Sequence, residues 1–309
     1  MADLPSRLRE GSGVGTPPAA EYPVESEGPH PSPLPLAGGG TRQALAAAAA
    51  RFGFSATPRL DAELLLAHAL GISRDKLLLD LDRPVPPTFA ALVERRAAQE
   101  PVAYIIGTRG FWTVDLQVGP GVLIPRADSE TLLEAAVRHF AGTPGPARVL
   151  DLGTGPGTLL LAALDQWPMA TGLGVDASAT ALGYAERNAR ASGFADRARF
   201  DLGDWGSGVN GRFDLILCNP PYIAEDAVLP PEVRAHEPAD ALFAGADGLD
   251  AYRVLAPQLP RLLAPDGVAC VEIGWTQGQA VRALFEEVGL HIDLHQDLGG
   301  RDRCVVATP

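Results

Sequence analysis

Four consecutive residues, Asn219-Pro220-Pro221-Tyr222, could hold a planar amino group for attack on an electrophile. The nitrogen of an amide or of an aromatic amine is a poor nucleophile, because its lone pair is delocalised into the attached π-system. The Asn219 side-chain carbonyl and the Pro220 backbone carbonyl can accept hydrogen bonds from its two N–H groups, and proline fixes that backbone. Tyr222 offers an aromatic face. The alternative is a Pro-Pro turn without chemistry.

A glycine-rich loop lies earlier in the chain and consists of Gly153, Thr154, Gly155, Pro156 and Gly157. Glycine lets the backbone turn tightly from a strand into a helix and approach a ligand closely. The spacing is Gly-x-Gly-x-Gly and differs from the Gly-x-Gly-x-x-Gly of dinucleotide folds. The loop predicts a nucleotide-like ligand, and a plain strand–helix turn is the structural alternative.

Two residues beyond the glycine loop could bind the nucleoside part of such a ligand. Asp176 ends the next predicted strand, about 20 residues on, where a carboxylate can accept hydrogen bonds from ribose hydroxyls. Both NAD and S-adenosylmethionine fit this pattern, and Asp176 could instead cap the following helix. Trp205 follows the third predicted strand and could lie against an adenine ring, or could simply be partly buried.

The elements that must position these loops alternate between strand and helix from about residue 126. Apolar strands separated by helices predict a parallel sheet that is covered on both faces. In such sheets, ligands bind beyond the carboxyl ends of the strands. The predicted strands are 148–152, 171–175, 198–202, 213–218, 268–273, 291–298 and 303–307, and the predicted helices are 158–166, 179–192, 252–263 and 277–288.

The rest of the chain divides into three segments. Residues 1–40 hold eight prolines and seven glycines, and this composition predicts a disordered tail. Residues 41–100 predict helices: Thr41 could cap the first, and Gly71 would end the second. Residues 101–124 predict a β-hairpin connector, with strands at 103–106, 111–118 and 122–124. Residues 125–309 form the predicted α/β domain.

Composition narrows the function classes. The net charge is −13, and residues 125–309 alone carry −11, which argues against tight binding to a nucleic-acid backbone. The three cysteines form no Cys-x-x-Cys pair, and the histidines show no ligand spacing, so no metal site is expected. No apolar run approaches the about 18 residues of a membrane span, and we expect a cytoplasmic protein without membrane contact.

At these motifs the chain resembles the release-factor glutamine methyltransferases (HemK/PrmC type), which are class I S-adenosylmethionine-dependent methyltransferases. The resemblance covers residues 58–308. It is carried by Leu60–Leu65, Pro101–Ile105 with Gly107, Phe111-Trp112, Leu123–Arg126 with Glu130, the loop 151–157, Asn219–Tyr222, and Glu237-Pro238 with Gly248-Leu249. Departures from the family pattern include Ala127, Ser129 and Pro156, which stand where proline, threonine and threonine are more typical.

The resemblance implies a Rossmann-like fold, doubly wound, with a mostly parallel seven-stranded sheet whose last strand is antiparallel. It implies methylation of N5 of the glutamine in the Gly-Gly-Gln motif of peptide-chain release factors, with the helical segment helping to dock them. Residues 153–157 would then hold the methionine part of S-adenosylmethionine, Asp176 the ribose and Trp205 the adenine. Asn219 would contact cofactor and substrate, and residues 219–222 would grip the glutamine amide.

Two other functions share some of these features. An adenine-N6 DNA or RNA methyltransferase would also suit Asn219–Tyr222, but it needs a basic segment to grip phosphates, and none is found. A module that binds NAD would share only the glycine loop and Asp176. Arg126 stays open between a contact in the active site and a structural salt bridge.

Overall fold

The computed structural model of the protein describes residues 40–309, so the predicted disordered tail, apart from Gly40, lies outside the described residues. The described chain forms two compact units. The larger unit comprises residues 108–230 and 237–309. The smaller unit comprises residues 40–107 together with Pro231–His236, a short segment that the chain contributes from much later in the sequence.

The smaller unit is helical. Its helices are α1 (Thr41–Ala50), α2 (Pro58–Leu70), α3 (Arg74–Leu79), α4 (Thr88–Ala97) and α5 (Val102–Ile106), and the later segment adds a further short helix, Pro231–His236. Helix α2 ends where predicted, because Gly71 adopts the left-handed conformation with φ of 65°. Ser73 caps α3 by accepting a hydrogen bond from the Lys76 backbone N–H.

A buried ion cluster joins three parts of this unit. The Arg96 guanidinium is almost fully buried and lies 2.8 Å from the Asp61 carboxylate and 2.5 Å from that of Glu232. Around the cluster the helices pack through fully buried apolar side chains such as Phe52 and Phe89. A buried guanidinium needs such partners, since removal of one partner leaves an uncompensated charge.

Two predictions in the smaller unit were wrong. Thr41 does not cap α1: Gly40 holds the cap position, and the Thr41 hydroxyl donates to the Arg83 carbonyl. Residues 103–106 form helix α5 instead of a strand. Their β-branched residues favoured a strand, but Gly107 closes a helical turn in the left-handed conformation, with its N–H bonded to the Ala103 carbonyl.

The larger unit begins with a two-stranded antiparallel hairpin of β1 (Thr108–Phe111) and β2 (Val114–Gln117). The prediction of one strand over 111–118 was wrong, because the chain turns at Trp112, whose φ is 54°. Residues 122–124 form no strand. The hairpin therefore occupies only the middle of the predicted connector.

Seven further strands form one sheet. They are β3 (Arg148–Leu152), β4 (Thr171–Asp176), β5 (Ala198–Leu202), β6 (Phe213–Cys218), β7 (Leu263–Glu272), β8 (His291–Gln296) and β9 (Asp302–Thr308). Their order is β5-β4-β3-β6-β7-β9-β8. Strand β9 runs antiparallel to both of its neighbours, and the pairs from β5 to β7 are parallel. The predicted seven-stranded α/β sheet with an antiparallel last strand is confirmed.

Helices cover the sheet. They are α6 (Glu130–His139), α7 (Thr158–Gln166), α8 (Ala179–Ala191), α10 (Asp250–Leu255), α11 (Leu259–Leu262) and α12 (Gly278–Glu286), α9 being the segment Pro231–His236 of the smaller unit. The predicted single helix 252–263 is divided by the 3₁₀ turn Ala256–Gln258, which contains Pro257. Within residues 40–309, no helix combines the length and hydropathy that crossing a bilayer requires.

Candidate active site

A cavity of about 440 Å³ opens beyond the carboxyl ends of β3, β4, β5 and β6. Its volume lies in the range of cavities that bind small molecules and cofactors. Eight of the predicted site residues line it, namely Gly153, Thr154, Gly155, Pro156, Asp176, Trp205, Asn219 and Pro221. Four loops that are far apart in the sequence therefore meet at one edge of the sheet, as the parallel arrangement requires.

The glycine loop is shaped by backbone conformations that favour glycine. Gly153 and Gly155 have φ of 71° and 56°. The N–H groups of Gly153 and Thr154 both donate to the Val175 carbonyl, at 2.8 and 3.0 Å, which fixes the loop against β4. A Cβ atom on Gly153 would lie 3.3 Å from the Trp205 ring, so a glycine lets the tryptophan approach the loop.

Asp151, the last but one residue of β3, is a buried carboxylate at the wall of the cavity. Its Oδ2 atom accepts hydrogen bonds from the Thr154 hydroxyl at 2.6 Å and from the Leu160 N–H at 3.1 Å. Its Oδ1 atom is buried and has no hydrogen-bond partner among residues 40–309. Burial raises the pKa of Asp151 to about 7. A donor group on a bound molecule would satisfy this oxygen, a role that the sequence did not predict.

Asp176, the last residue of β4, lines the cavity, and backbone N–H groups orient both of its carboxylate oxygens. The Gly155 N–H donates to Oδ2 and the Ser178 N–H to Oδ1, each at 2.8 Å. Asp176 is not the cap of α8, because Ser178 holds that position and accepts from the Ala181 N–H. Each carboxylate oxygen has a further lone pair, so the group can still accept hydrogen bonds from hydroxyls.

Asn219 follows β6 and has its amide group oriented by a side chain from far away in the sequence. Its Nδ2 atom donates to the Ser129 hydroxyl oxygen at 3.0 Å, so its carbonyl oxygen is directed away from Ser129. The Ser129 hydroxyl in turn donates to Oε2 of Glu272. Nothing in the sequence marked Ser129 beyond its departure from the usual threonine.

Glu272 ends β7 and is only 1% exposed. Its second carboxylate oxygen accepts a hydrogen bond from the Tyr222 hydroxyl at 3.3 Å. Burial raises the pKa of Glu272 to about 7, an effect that the Ser129 hydrogen bond and the Arg303 charge partly oppose. In the sequence, Glu272 is the single acid of the otherwise apolar predicted strand 268–273, and this is the signal that could have identified it.

The chain is similar to known proteins over both the helical part and the α/β part. A family model described as the PrmC N-terminal domain matches residues 43–107, and one described as a methyltransferase domain matches residues 146–295. Release factor glutamine methyltransferase from Rhodospirillum rubrum is 50% identical over 257 residues, which cover 81% of this chain and 78% of that protein. The protein of the same name from Caulobacter vibrioides is 44% identical, with coverages of 81% and 89%. The chain belongs to the release factor glutamine methyltransferase family.

Three predicted residues of this methyltransferase lie outside the cavity wall. Gly157 has φ of 87° and immediately precedes α7. A Cβ atom there would lie 3.0 Å from the Leu161 side chain, so glycine at this position allows Leu161 of α7 to pack closely. Pro220 is buried. The Tyr222 hydroxyl is directed inward to Glu272, and burial raises its pKa above the ordinary value.

Other contacts fix the backbone of the loop 219–222. Gln277 donates its side-chain amide to the Tyr222 carbonyl at 2.9 Å and to the Gly248 carbonyl at 3.2 Å. Gly248 has φ of 72°, and a Cβ atom there would lie 2.3 Å from the Tyr222 carbonyl oxygen. A side chain at position 248 would therefore displace the loop, which gives a physical reason for the glycine of this motif.

A buried carboxylate joins two further motifs of the methyltransferase. Glu237 accepts a hydrogen bond from the Ile124 N–H at 3.0 Å and forms an ion pair with Arg126. Arg126 therefore makes a salt bridge, and it also lines the cavity. The two readings of Arg126 that the sequence left open are compatible, because the ion pair holds the guanidinium at the cavity wall.

Proposed function

We propose that this chain transfers a methyl group from S-adenosylmethionine to N5, the side-chain amide nitrogen, of the glutamine in the Gly-Gly-Gln motif of peptide-chain release factors. One observation carries the proposal: Asn219, with its amide orientation fixed by Ser129, shares a cavity with the glycine loop and Asp176. Relatives at 50% and 44% identity carry the name release factor glutamine methyltransferase.

The residues at the cavity wall fit S-adenosylmethionine. The Oδ1 atom of Asp151, which no group among the described residues satisfies, would accept from the ammonium group, and residues 153–156 would border the methionine part. Asp176 would accept from the ribose hydroxyls, and Trp205 would lie along the adenine. The bound molecule supplies the methyl group on a positively charged sulfur, next to a cavity wall that carries four aspartates, Asp151, Asp176, Asp204 and Asp240.

Asn219 and Pro220 perform the positioning in the proposed transfer. Asn219, which lines the cavity, would accept from one N–H group of the glutamine amide. That the Pro220 carbonyl accepts from the other N–H group and that Tyr222 borders the planar face stays a prediction, because neither residue lines the cavity. The amide nitrogen would then attack the methyl carbon, the carbon–sulfur bond would break with its electron pair left on the sulfur of S-adenosylhomocysteine, and the nitrogen would lose its extra proton to solvent. Alignment of this kind can lower a barrier by several kcal/mol, up to about 7–11 in favourable cases.

The helical unit supplies the second part of the proposal. Residues 43–107 match the PrmC N-terminal domain, and we assign to this domain the docking of the release factor. A substrate of this kind would place the reaction in the cytoplasm, without direct contact to nucleic acid or membrane. The Asp61–Arg96–Glu232 cluster would keep the helices in one arrangement for docking.

Intact-mass analysis of a release factor, before and after incubation with enzyme and S-adenosylmethionine, tests the proposal. We expect a gain of one methyl group that maps to the Gly-Gly-Gln glutamine, and no gain when that glutamine is replaced by glutamate. An unmodified release factor, together with calorimetry that shows bound S-adenosylmethionine, would reject the substrate. Methylation of DNA oligonucleotides instead would favour the adenine-N6 alternative.

A further inference from the structure

We propose that Ser129 and Glu272 are positioning residues that determine which end of the Asn219 amide faces the substrate. The inference rests on the proposed function, because it assigns to Asn219 the role of accepting from the glutamine N–H. It concerns residues that lie outside Asn219–Tyr222 in sequence and reach it only in the folded chain. The site thereby includes the ends of two elements that the motif alone does not identify.

The chemistry of the three groups fixes the direction of the hydrogen bonds. An ionised carboxylate can only accept, so the Ser129 hydroxyl must donate its proton to Glu272. The Ser129 oxygen then presents a lone pair to Asn219. A lone pair is matched by the N–H group of an amide and repels its carbonyl oxygen. Asn219 therefore turns Nδ2 to Ser129, at 3.0 Å, and its carbonyl oxygen to the opposite side.

Reversal of the Asn219 amide would damage the site twice. Its carbonyl oxygen would face the lone pair of Ser129, and its N–H group would face the N–H group of the incoming glutamine. Neither contact can form a hydrogen bond, and an unmatched polar group in a buried place is costly. The chain from Glu272 through Ser129 thus selects the amide orientation that a nucleophilic amide substrate needs.

The carboxylate at the root of this chain is held from several sides. Tyr222 donates to its other oxygen at 3.3 Å, so one buried group supports both ends of the loop 219–222. Arg303 contributes a positive charge, and its guanidinium also lies 3.3 Å from Asp128 and 3.4 Å from Asp297. Ser129 itself is 2% exposed at the end of the 3₁₀ turn Ala127–Ser129.

A nearby hydrogen bond provides a matched control. The Tyr252 hydroxyl donates to the backbone carbonyl of Glu272 at 2.9 Å and is fully buried. Tyr252→Phe therefore removes a buried hydrogen bond at the same residue but leaves the carboxylate and Ser129 untouched. If Glu272 had only a structural role, Tyr252→Phe should reduce turnover as much as Ser129→Ala does.

Kinetics on the release factor give the first test. We expect Ser129→Ala to lower kcat by about 10- to 100-fold, the cost of a misplaced reacting group, with the Kd for S-adenosylmethionine within about 2-fold of wild type. Ser129→Thr keeps the hydroxyl and should restore most of kcat, and Tyr252→Phe should keep kcat. A normal kcat in Ser129→Ala, or an equal loss in Ser129→Thr, would overturn the proposal.

A spectroscopic test needs no release factor. The chain has three asparagines, Asn188, Asn210 and Asn219, so asparagine-selective ¹⁵N labelling gives only three side-chain NH₂ pairs. We expect the Asn219 pair to shift and to exchange faster with water in Ser129→Ala and not in Tyr252→Phe. Buried Asn188 and exposed Asn210 serve as references. An unchanged Asn219 pair would refute the orientation chain, even if the proposed substrate proved wrong.

Discussion

The two sides of the cavity are built in different ways. The side formed by the glycine loop and Asp176 is held by contacts between residues close in sequence, with hydrogen bonds to the Asp151 and Asp176 carboxylates that span 3, 9 and 21 residues. The side formed by Asn219 is held by side chains that span 90 residues to Ser129 and a further 143 from Ser129 to Glu272.

This difference indicates a division of work. A ligand site made from strand ends and glycine turns can form whenever the sheet forms, so it is suited to binding. A side chain whose orientation depends on a buried hydrogen-bond chain is suited to a step with strict geometry. Variants on the first side should therefore weaken binding, and variants on the second side should slow the transfer.

The largest effect is expected for Asn219→Ala. The change removes the carbonyl that accepts from the glutamine N–H, and we expect kcat to fall by at least about 100-fold, as for loss of one group that acts at the reacting centre. Single-turnover methylation of a release factor measures this rate. A melting temperature near that of wild type would show that the fold survives, and near-normal turnover would disprove the amide-orientation argument.

Asp176→Ala should weaken binding of S-adenosylmethionine and leave kcat nearly unchanged, the reverse of Asn219→Ala. Loss of the carboxylate removes the acceptor for the ribose hydroxyls and the anchors of the Gly155 and Ser178 N–H groups. We expect the Kd for S-adenosylmethionine to rise by about 10- to 100-fold, with kcat at saturation within a few-fold of wild type. Calorimetry supplies the Kd, and an unchanged value would locate the ribose contact elsewhere.

The pH dependence of kcat should separate the two sides further. Glu272 can direct Ser129 only when it is ionised, and its pKa is raised to about 7, so kcat should rise through pH 7. Glu272→Gln should be slower and should lose this rise. The pKa of Asp151 is also raised to about 7. Because Asp151 is present in both the wild type and Glu272→Gln, it does not account for a difference between their pH profiles.

The groups that face Glu272 have opposing effects on its pKa. Arg303 and the hydroxyls of Ser129 and Tyr222 favour the ionised form, and Asp128 disfavours it. Buried Tyr252, Cys218 and Cys304 remain neutral at these pH values, since burial raises the pKa of each. If kcat of Glu272→Gln still rose near pH 7 as in wild type, the rise would belong to another group, and Asp151 would be the first candidate.

The smallest effect concerns stability. Glutamate in an unfolded chain ionises near 4.5, whereas the pKa of folded Glu272 is about 7. Between these values the folded protein retains a proton that the unfolded chain has released, so stability falls as pH rises, by roughly 1 kcal/mol per pH unit. Denaturant unfolding should show a smaller fall in the free energy of unfolding between pH 5 and pH 7 for Glu272→Gln than for wild type. An equal fall in both proteins would contradict the assignment.

The same division governs what the sequence could predict. The glycine loop, Asp176 and Asn219 were found because strand–helix alternation and short motifs are local signals, and the sheet followed from them. Ser129 and Glu272 were missed because their roles arise from contacts across 90 or more residues. Glu232, which pairs with Arg96 over 136 residues, was missed for the same reason.

The most direct test of this division compares Asp176→Ala with Ser129→Ala in single-turnover methylation of one release factor, with S-adenosylmethionine raised from subsaturating to saturating. We predict that Asp176→Ala recovers a rate close to wild type at saturation, whereas Ser129→Ala stays about 10- to 100-fold slow at every concentration. Recovery of both variants, or of neither, would contradict the separation of binding from amide orientation.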